Sequence, residues 1–354
     1  MPSQKLNVFI TTPLISVVEA MEMIDKNAKG ILFIVNDQSQ LIGSITDGDI
    51  RRWIIKTGKL NSSVEKYMNN DPKFVFEGDR EKAHVYIEDY GIKAIPVITI
   101  EKRITDIIFS NDDFEKSQDN AVLKNTSVII MAGGKGTRLY PFTKILPKPL
   151  IPIGDVPIIE RIINKFYEFQ LTNFYLTVNY KKGMIKSYFS DLEPNYEIHY
   201  VEEDKPLGTA GSIKLINDKF YQPIIITNCD TIVDINYSKL LSYHISSGNE
   251  LTIVSALRNF TIPYGVIHSK EHGIVTDMEE KPRMSYFINT GLYVLNPQLI
   301  EKIPKDSVFH MTQLAELLMN ENYQVGMYPI SEDAFLDMGE FEEMKRMEQK
   351  LNRK

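Results

Sequence analysis

From Ser127 to Gly248 the chain alternates short apolar runs with amphipathic helical stretches, and this alternation restricts the fold more than any other feature. "SVIIMA", "NFYLTVNY", "YEIHYVEE" and "PIIITNCD" read as strands. "VPIIERIINKFYEF", "KKGMIKSYF", "TAGSIKLIND" and "SKLLSYHISSG" read as the helices around them. In the first of these helices Ile158, Ile159, Ile162, Ile163, Phe166 and Phe169 share one face. Strands separated by helices pair in parallel, so an α/β fold is predicted: a mostly parallel mixed sheet with helices on both faces. Hydrophobic residues make up 43% of the 354, enough for a sizeable core. From Leu251 the pattern turns to strands, "LTIVSAL", "YGVIHS", "GIVTDMEE" and "FINTGLYVL". These are expected to extend the sheet and build the second half of a pocket. Helices near "MTQLAELLMN" and "EFEEMKRMEQKLNRK" close the domain.

Ahead of this region lies an internal repeat. "VEAMEMIDKNAKGILFIVND", from Val18, reappears 63 residues later as "EKAHVYIEDYGIKAIPVITI", from Glu81. Each copy reads as an amphipathic helix followed by a mostly apolar strand. Shifted by one further residue, Thr46 and Asp49 in "GSITDGDIRR" match Ser110 and Asp113. Neither copy is large enough to bury a core alone, so the two should pack into one small α+β module. The polar stretch "SNDDFEKSQDNAVLKN" reads as a linker or a final short helix. Two domains follow, residues 1–120 and 121–354.

The formal net charge of −7 argues against nucleic acid or an anionic membrane surface as a partner. No apolar stretch reaches transmembrane length, and "MPSQKLNVFI" has no long apolar core after a basic start. A cytoplasmic protein without a secretory signal is expected. The single cysteine, Cys229, excludes an intrachain disulfide and any multi-cysteine metal site, and reads as a small buried hydrophobe.

The chemistry is concentrated in "SVIIMAGGKGTRLYPFTKILPKPLIPI". Gly133, Gly134 and Gly136 follow a strand directly, where they let the backbone approach a ligand and aim N–H groups at an anion. Leu139 stands where a dinucleotide-binding fingerprint needs its third glycine, and no P-loop frame fits. Pro147 and Pro149 stiffen the loop around Lys148, so its ammonium is held in place.

The whole stretch resembles the G-x-G-x-R-L…P-K-P-[LM] motif of sugar-1-phosphate nucleotidyltransferases, and the resemblance continues in order to about Met347. It implies the Rossmann-like nucleotidyltransferase fold. It also implies that Ala132, Gly133, Gly134, Gly136, Thr137 and Arg138 cradle a nucleoside triphosphate, with Lys148 against the phosphate where substitution occurs. Asp230, ending "IIITNCD", and Asp337, in "FLDMGEFEEM", resemble the family's two Mg²⁺-binding aspartates, although the usual D-x-G-x-P lacks its proline here. Two carboxylates with phosphate oxygens and water suit that hard cation. The resemblance places the sugar 1-phosphate on Gly265 of "PYGVI", Glu280 and Lys281 of "MEEKP", and Asn289, Thr290 and Gly291 of "FINTG". Arg138, Lys148, Asp230, Lys281 and Asp337 are thereby the expected catalytic set.

"EEDKPLGTAGSI" resembles the base-reading loop, and its Gly208 and Thr209 are similar to the form seen in guanylyltransferases, which points to GTP. The repeat resembles a tandem pair of CBS domains over residues 6 to about 118. In that family the hydroxyl and aspartate positions, here Thr46, Asp49, Ser110 and Asp113, hold the phosphate and ribose of an adenine nucleotide. Other pairs act as packing or dimerisation modules, and self-association is expected. A CBS pair fused ahead of such a domain resembles the bacterial glucosamine-1-phosphate guanylyltransferases of legionaminic acid synthesis. Mannose, glucose or a heptose stay open as the sugar. A non-catalytic nucleotide sensor is the rival from another class.

Overall fold

A computed structural model of the chain describes residues 6–27, 29–110, 123 and 125–351. It separates into two compact units. One holds Met1–Glu115, Leu257–Ile288 and Ser331–Asp333, and the other Lys116–Ala256, Asn289–Ile330 and Ala334–Lys354. The first crossing between them falls at Glu115/Lys116. That segment 257–288 groups with the N-terminal part was not anticipated. Among the described residues no helix is long and apolar enough to cross a membrane.

In the first unit the repeat is visible as repeated topology. The first copy runs β1 (Ile10–Thr11), α1 (Val17–Asn27), β2 (Ile31–Val35), β3 (Leu41–Thr46) and α2 (Asp47–Thr57). The second runs β4 (Val75–Phe76), α3 (Ala83–Tyr90), β5 (Ala94–Ile98) and β6 (Ile104–Phe109). In each, the short first strand pairs parallel to the central one, which pairs antiparallel to the third. Both central strands carry a register shift at the same place, Ile34/Val35 and Val97/Ile98. One apolar cluster takes Ile31, Phe33 and Leu41 from the first copy and Ala94, Ile98, Ile104 and Ile107 from the second. The core is therefore shared. Leu41 N donates to Lys102 O (2.8 Å), and Gln40 Nε2 to Glu101 O (3.1 Å), across the two copies.

In the second unit the alternating pattern folds as β7 (Val128–Met131), α4 (Phe142–Ile145), β8 (Pro152–Ile153), β9 (Val156–Pro157), α5 (Ile158–Tyr167), β10 (Asn173–Val178), α6 (Lys182–Leu192), β11 (Glu197–Glu202), α7 (Gly208–Gly211), β12 (Ile224–Asn228), β13 (Thr231–Val233) and α8 (Tyr237–Ser246). There follow β14 (Leu251–Thr261), β15 (Val266–Ser269), β16 (Val275–Glu279), β17 (Arg283–Leu295), α9 (Met311–Asn320), β18 (Val325–Ile330), β19 (Phe335–Asp337) and α10 (Phe341–Leu351). Seven strands form one sheet in the order β11-β10-β7-β12-β17-β14-β18. β7 pairs in parallel with both β10 and β12, while β17 is antiparallel to β12. The fold class is the mixed, parallel-rich α/β expected. All four residues of β7 are buried, as a central strand covered on both faces requires. The apolar face of α5 is buried at Ile158, Ile159, Ile162, Ile163 and Phe166. The helix ends at Tyr167, and Phe169 beyond it packs edge-on against Tyr237 at 5.3 Å.

Two expectations need correction. β15 and β16 do not extend the main sheet. They form their own antiparallel hairpin, in the first unit. Every residue of β16 is exposed, so no apolar face drives the hairpin into a layered sheet. "TAGSIKLIND" is not one helix but the short α7 followed by a 3₁₀ turn over Ser212–Leu215.

Candidate active site

The second unit gathers several expected residues at the carboxyl ends of β7 and β12, where open parallel sheets place ligands. The loop after β7 lies close against its neighbours. A Cβ at Gly133 would stand 2.6 Å from Glu203 Oε1. Gly136, at φ +64°, could carry none, because Lys148 Cβ would be 2.9 Å away and Thr143 Cγ2 3.0 Å. Thr143 Oγ1 donates to Gly136 O at 2.9 Å, which ties the loop to the segment that carries Lys148.

Lys148 forms an ion pair with Asp230, and both side chains are nearly buried, at 11% and 12% exposed. Asp337 reaches the same place by an element that the sequence did not reveal. β13 and β19 pair antiparallel with Thr231 opposite Asp337, and Met338 N donates to Asp230 O at 2.9 Å. Burial pushes the Asp337 carboxyl up to about 6. The neighbouring Asp230 and Glu343 add to this, and Lys148 and Arg138 oppose it. Arg138 is exposed, and its guanidinium lies 3.4 Å from where a Gly339 Cβ would stand, beside Asp337. One lysine, one arginine and two carboxylates thus converge beside a glycine loop. Among the described residues no group of three or more His, Cys, Asp or Glu could hold a metal ion. A cation bound by Asp230 and Asp337 would need further oxygens from a ligand and water, and an all-oxygen set fits Mg²⁺. The raised Asp337 carboxyl marks negative charge that such a cation would relieve. Cys229 is buried and its thiol is pushed up to about 12 by burial, which leaves it inert as expected.

Glu203 was not foreseen as a site residue. It is 5% exposed, and burial raises its carboxyl against the Leu207 N–H bond of 3.1 Å that favours the charged form. Its contact with Gly133 places a buried carboxylate at the glycine loop. The only signal in the sequence was its position at the head of "EDKPLGTAG", where one acidic residue among several does not stand out.

Other expected residues are engaged locally. Gly208, at φ +78°, faces Phe309 O, which would lie 2.6 Å from a Cβ. Thr209 Oγ1 accepts from Met311 N at 3.0 Å, at the start of α9. In this structure Thr209 fastens α7 to the 307–311 segment, and Gly208 lets the two approach closely. Thr290 is buried and donates to Val254 O at 2.8 Å. Gly291, at φ +79°, leaves no room for a side chain against Asn228, which would be 2.3 Å away. Asn289 donates to Tyr293 Oη at 2.7 Å and accepts from Gly291 N at 2.9 Å. Gly265, Glu280 and Lys281 belong to the first unit, where Glu280 Oε2 would lie 3.0 Å from a Cβ at Gly265. Lys281 is exposed and sits at φ +49°, next to the buried Pro282.

In the repeat, Thr46 and Asp49 form a capping box on α2. Thr46 N and Oγ1 donate to Asp49 Oδ2 at 2.9 and 2.7 Å, and Arg52 pairs with the other carboxylate oxygen. Ser110 N donates to Lys93 O at 2.8 Å, and Asp113 lies outside the described residues. The polar stretch from 111 also falls largely outside them.

The nucleotidyl transferase family model matches residues 127–354, and the CBS domain model matches residues 5–56. Mannose-1-phosphate guanyltransferases of Pichia angusta and Debaryomyces hansenii are 38% and 37% identical over 184 residues, 49% of this chain. The chain spans about half the length of the curated relatives it matches, 50% and 51% for these two. Among solved structures, HddC from Yersinia pseudotuberculosis aligns with a TM-score of 0.51 at 26% identity, over 64% of this chain and 99% of that one.

Proposed function

This chain belongs to the nucleotidyl transferase family, and on that premise we propose that it transfers GMP from GTP to a hexose 1-phosphate, releasing pyrophosphate and forming a GDP-sugar. The observation that carries this is the buried Lys148–Asp230 pair, with Asp337 beside it, at the mouth of the glycine loop. A phosphate oxygen of the sugar 1-phosphate attacks the α-phosphorus in line. The P–O bond to the β-phosphate breaks, and the electron pair leaves with pyrophosphate. The nucleophile is already ionised near neutral pH, so no general base is required. Lys148 holds the transferring phosphate, Arg138 the departing phosphates, and Lys281 the sugar phosphate, so that catalysis is positioning and charge neutralisation. Mg²⁺ held by Asp230 and Asp337 would neutralise triphosphate charge when bound.

Glu203 supports guanine as the base. A carboxylate accepts hydrogen bonds and donates none, and guanine offers two adjacent donors, N1–H and the N2 amino group. Uracil and thymine offer a single N–H on the corresponding edge. The names of the relatives point the same way.

Glucosamine 1-phosphate is the proposed sugar, for legionaminic acid or another surface glycan made in the cytoplasm. It rests on the fusion of a CBS-type module to a "PLGTAG" guanylyltransferase-like domain. Mannose 1-phosphate is the second reading, favoured by the relatives. A matrix of nucleoside triphosphates against sugar 1-phosphates, read by pyrophosphate release, separates them. GTP with glucosamine 1-phosphate should turn over fastest. Faster UTP or dTTP turnover with every sugar would refute the base, and faster turnover with mannose 1-phosphate the sugar. If no pair reacts, the nucleotide-sensor reading replaces catalysis. For the N-terminal module the proposal is a CBS pair that binds an adenine or guanine nucleotide and also mediates self-association.

A further inference from the structure

The β15–β16 hairpin and its flanks, residues 257–288, carry Gly265, Glu280 and Lys281 but have little core of their own. β16 is exposed along its length, and β15 is exposed except for the half-buried Val266. An arm of this kind depends on its anchors for a defined position. Four are present at its base, all within the first unit. Ile262 N donates to Pro282 O at 3.0 Å, next to Lys281. Arg258 pairs with Glu332 at 3.5 Å. Ser285 Oγ donates to Asn259 Oδ1 at 2.6 Å, which joins the two long strands. The fourth leaves the arm. Glu22, on α1 of the repeat, pairs with Arg283 and also accepts from Asn259 Nδ2 at 3.2 Å. The charge of Glu19, one turn earlier on the same helix, is stabilised first by its hydrogen bonds with Ser16 and additionally by Arg283.

Arg283 is two residues from Lys281, and one strand joins it to Ser285. A single carboxylate on α1 therefore holds β14 and β17 together at the root of the arm, and β17 begins directly after the turn that presents Lys281. We propose that Glu22 and Arg283 are positioning residues for the sugar-phosphate grip: through this joint the N-terminal module fixes the turn at Glu280–Lys281, and with it the affinity for the sugar phosphate. This rests on the reading of Glu280 and Lys281 given above. An exposed ion pair alone contributes little stability, so its loss should loosen the arm without unfolding the protein. A loosened arm must be ordered each time substrate binds, which raises the Michaelis constant for that substrate.

The test uses full-length Glu22→Gln, Arg283→Gln, the double variant, Arg283→Lys and Lys281→Ala, with GTP and the best sugar 1-phosphate. Each single Gln variant should raise the sugar-phosphate KM roughly 3–10-fold, with kcat and the GTP KM within about twofold. The double variant should be no worse than the poorer single, and Arg283→Lys should recover most of the loss. An unchanged sugar-phosphate KM in Glu22→Gln, while Lys281→Ala raises it, overturns the joint alone. A parallel fall in kcat, GTP affinity and melting temperature overturns it in favour of a merely structural contact. No effect of Lys281→Ala overturns the sugar-phosphate reading and the joint together.

Discussion

Replacing Asp337 with asparagine should stabilise the metal-free protein and abolish its activity. Burial and the adjacent Asp230 raise the Asp337 carboxyl from the ordinary 3.8 to about 6, so folding disfavours its charged form. The shift would correspond to about 3 kcal/mol at about 1.4 kcal/mol per tenfold change in the proton equilibrium. Asp337 is only half-buried, and solvent screening reduces this to roughly 1–2 kcal/mol. The sign follows from linkage. The folded-state value lies above the unfolded one, so the stabilising contribution of the protonated carboxyl is full below pH 3.8 and lost as pH rises through about 6. The amide of the Asp337→Asn variant has nothing to titrate. In chelator-treated protein the melting temperature of that variant should exceed that of the parent above pH 6, and the difference should vanish below about pH 4. A gain of this size is a few degrees for a domain of this length. Added Mg²⁺ should raise the melting temperature of the parent more than that of the variant. Thermal denaturation at pH 4, 6 and 8, with and without Mg²⁺, measures all of this. A variant less stable than the parent at pH 8 without metal would refute the account of Asp337 as a half-buried charge that Lys148 and Arg138 only partly offset.

Lys148→Ala and Asp230→Ala should each lower kcat by roughly 10²–10³-fold with folding retained, because a fixed charge at the transferring phosphate is lost; wild-type rates in either would remove the mechanism. Glu203→Gln should raise the KM for GTP roughly 10–100-fold and narrow the preference over UTP, the range expected for one bidentate base contact; unchanged discrimination would show that Glu203 does not read the base. Gly133→Ala should act on the same carboxylate, since its Cβ would stand 2.6 Å from Glu203 Oε1, and unchanged GTP kinetics would mean that the contact relaxes at no cost. AMP titrated calorimetrically into the full chain should bind, and Asp49→Ala should remove the binding; no heat in the parent would leave the repeat with the packing role.

The repeat, the strand–helix alternation and the glycine–arginine–lysine loop could be read directly, because each is a local pattern. Periodicity located α5 and its buried face, and composition located β7 as a fully covered strand. The hairpin at β15–β16 misled, since a period-two run signals a strand but not the sheet it joins. Thr46 and Asp49 show the same limit in a side chain. Their spacing is that of a ligand motif and also of a capping box, and in the folded chain the two residues satisfy each other.

What the amino-acid order determined by itself was which residues are proposed to carry the chemistry: Arg138, Lys148, Asp230 and Asp337 stand in motifs whose glycines and prolines dictate local backbone shape. What only the tertiary structure decided was which of them meet. Asp230 and Asp337 lie 107 positions apart in the chain, and they become neighbours because the short β13 and β19 pair across the end of the sheet, with Thr231 opposite Asp337. Two strands of three residues carry too little local signal to be recognised, and their pairing is stabilised by the packed elements around them. Glu203 reaches Gly133, and Glu22 reaches Arg283, in the same way. A chain pattern specifies elements through neighbours a few residues away, whereas contacts between distant segments exist only once a common core has brought those elements together.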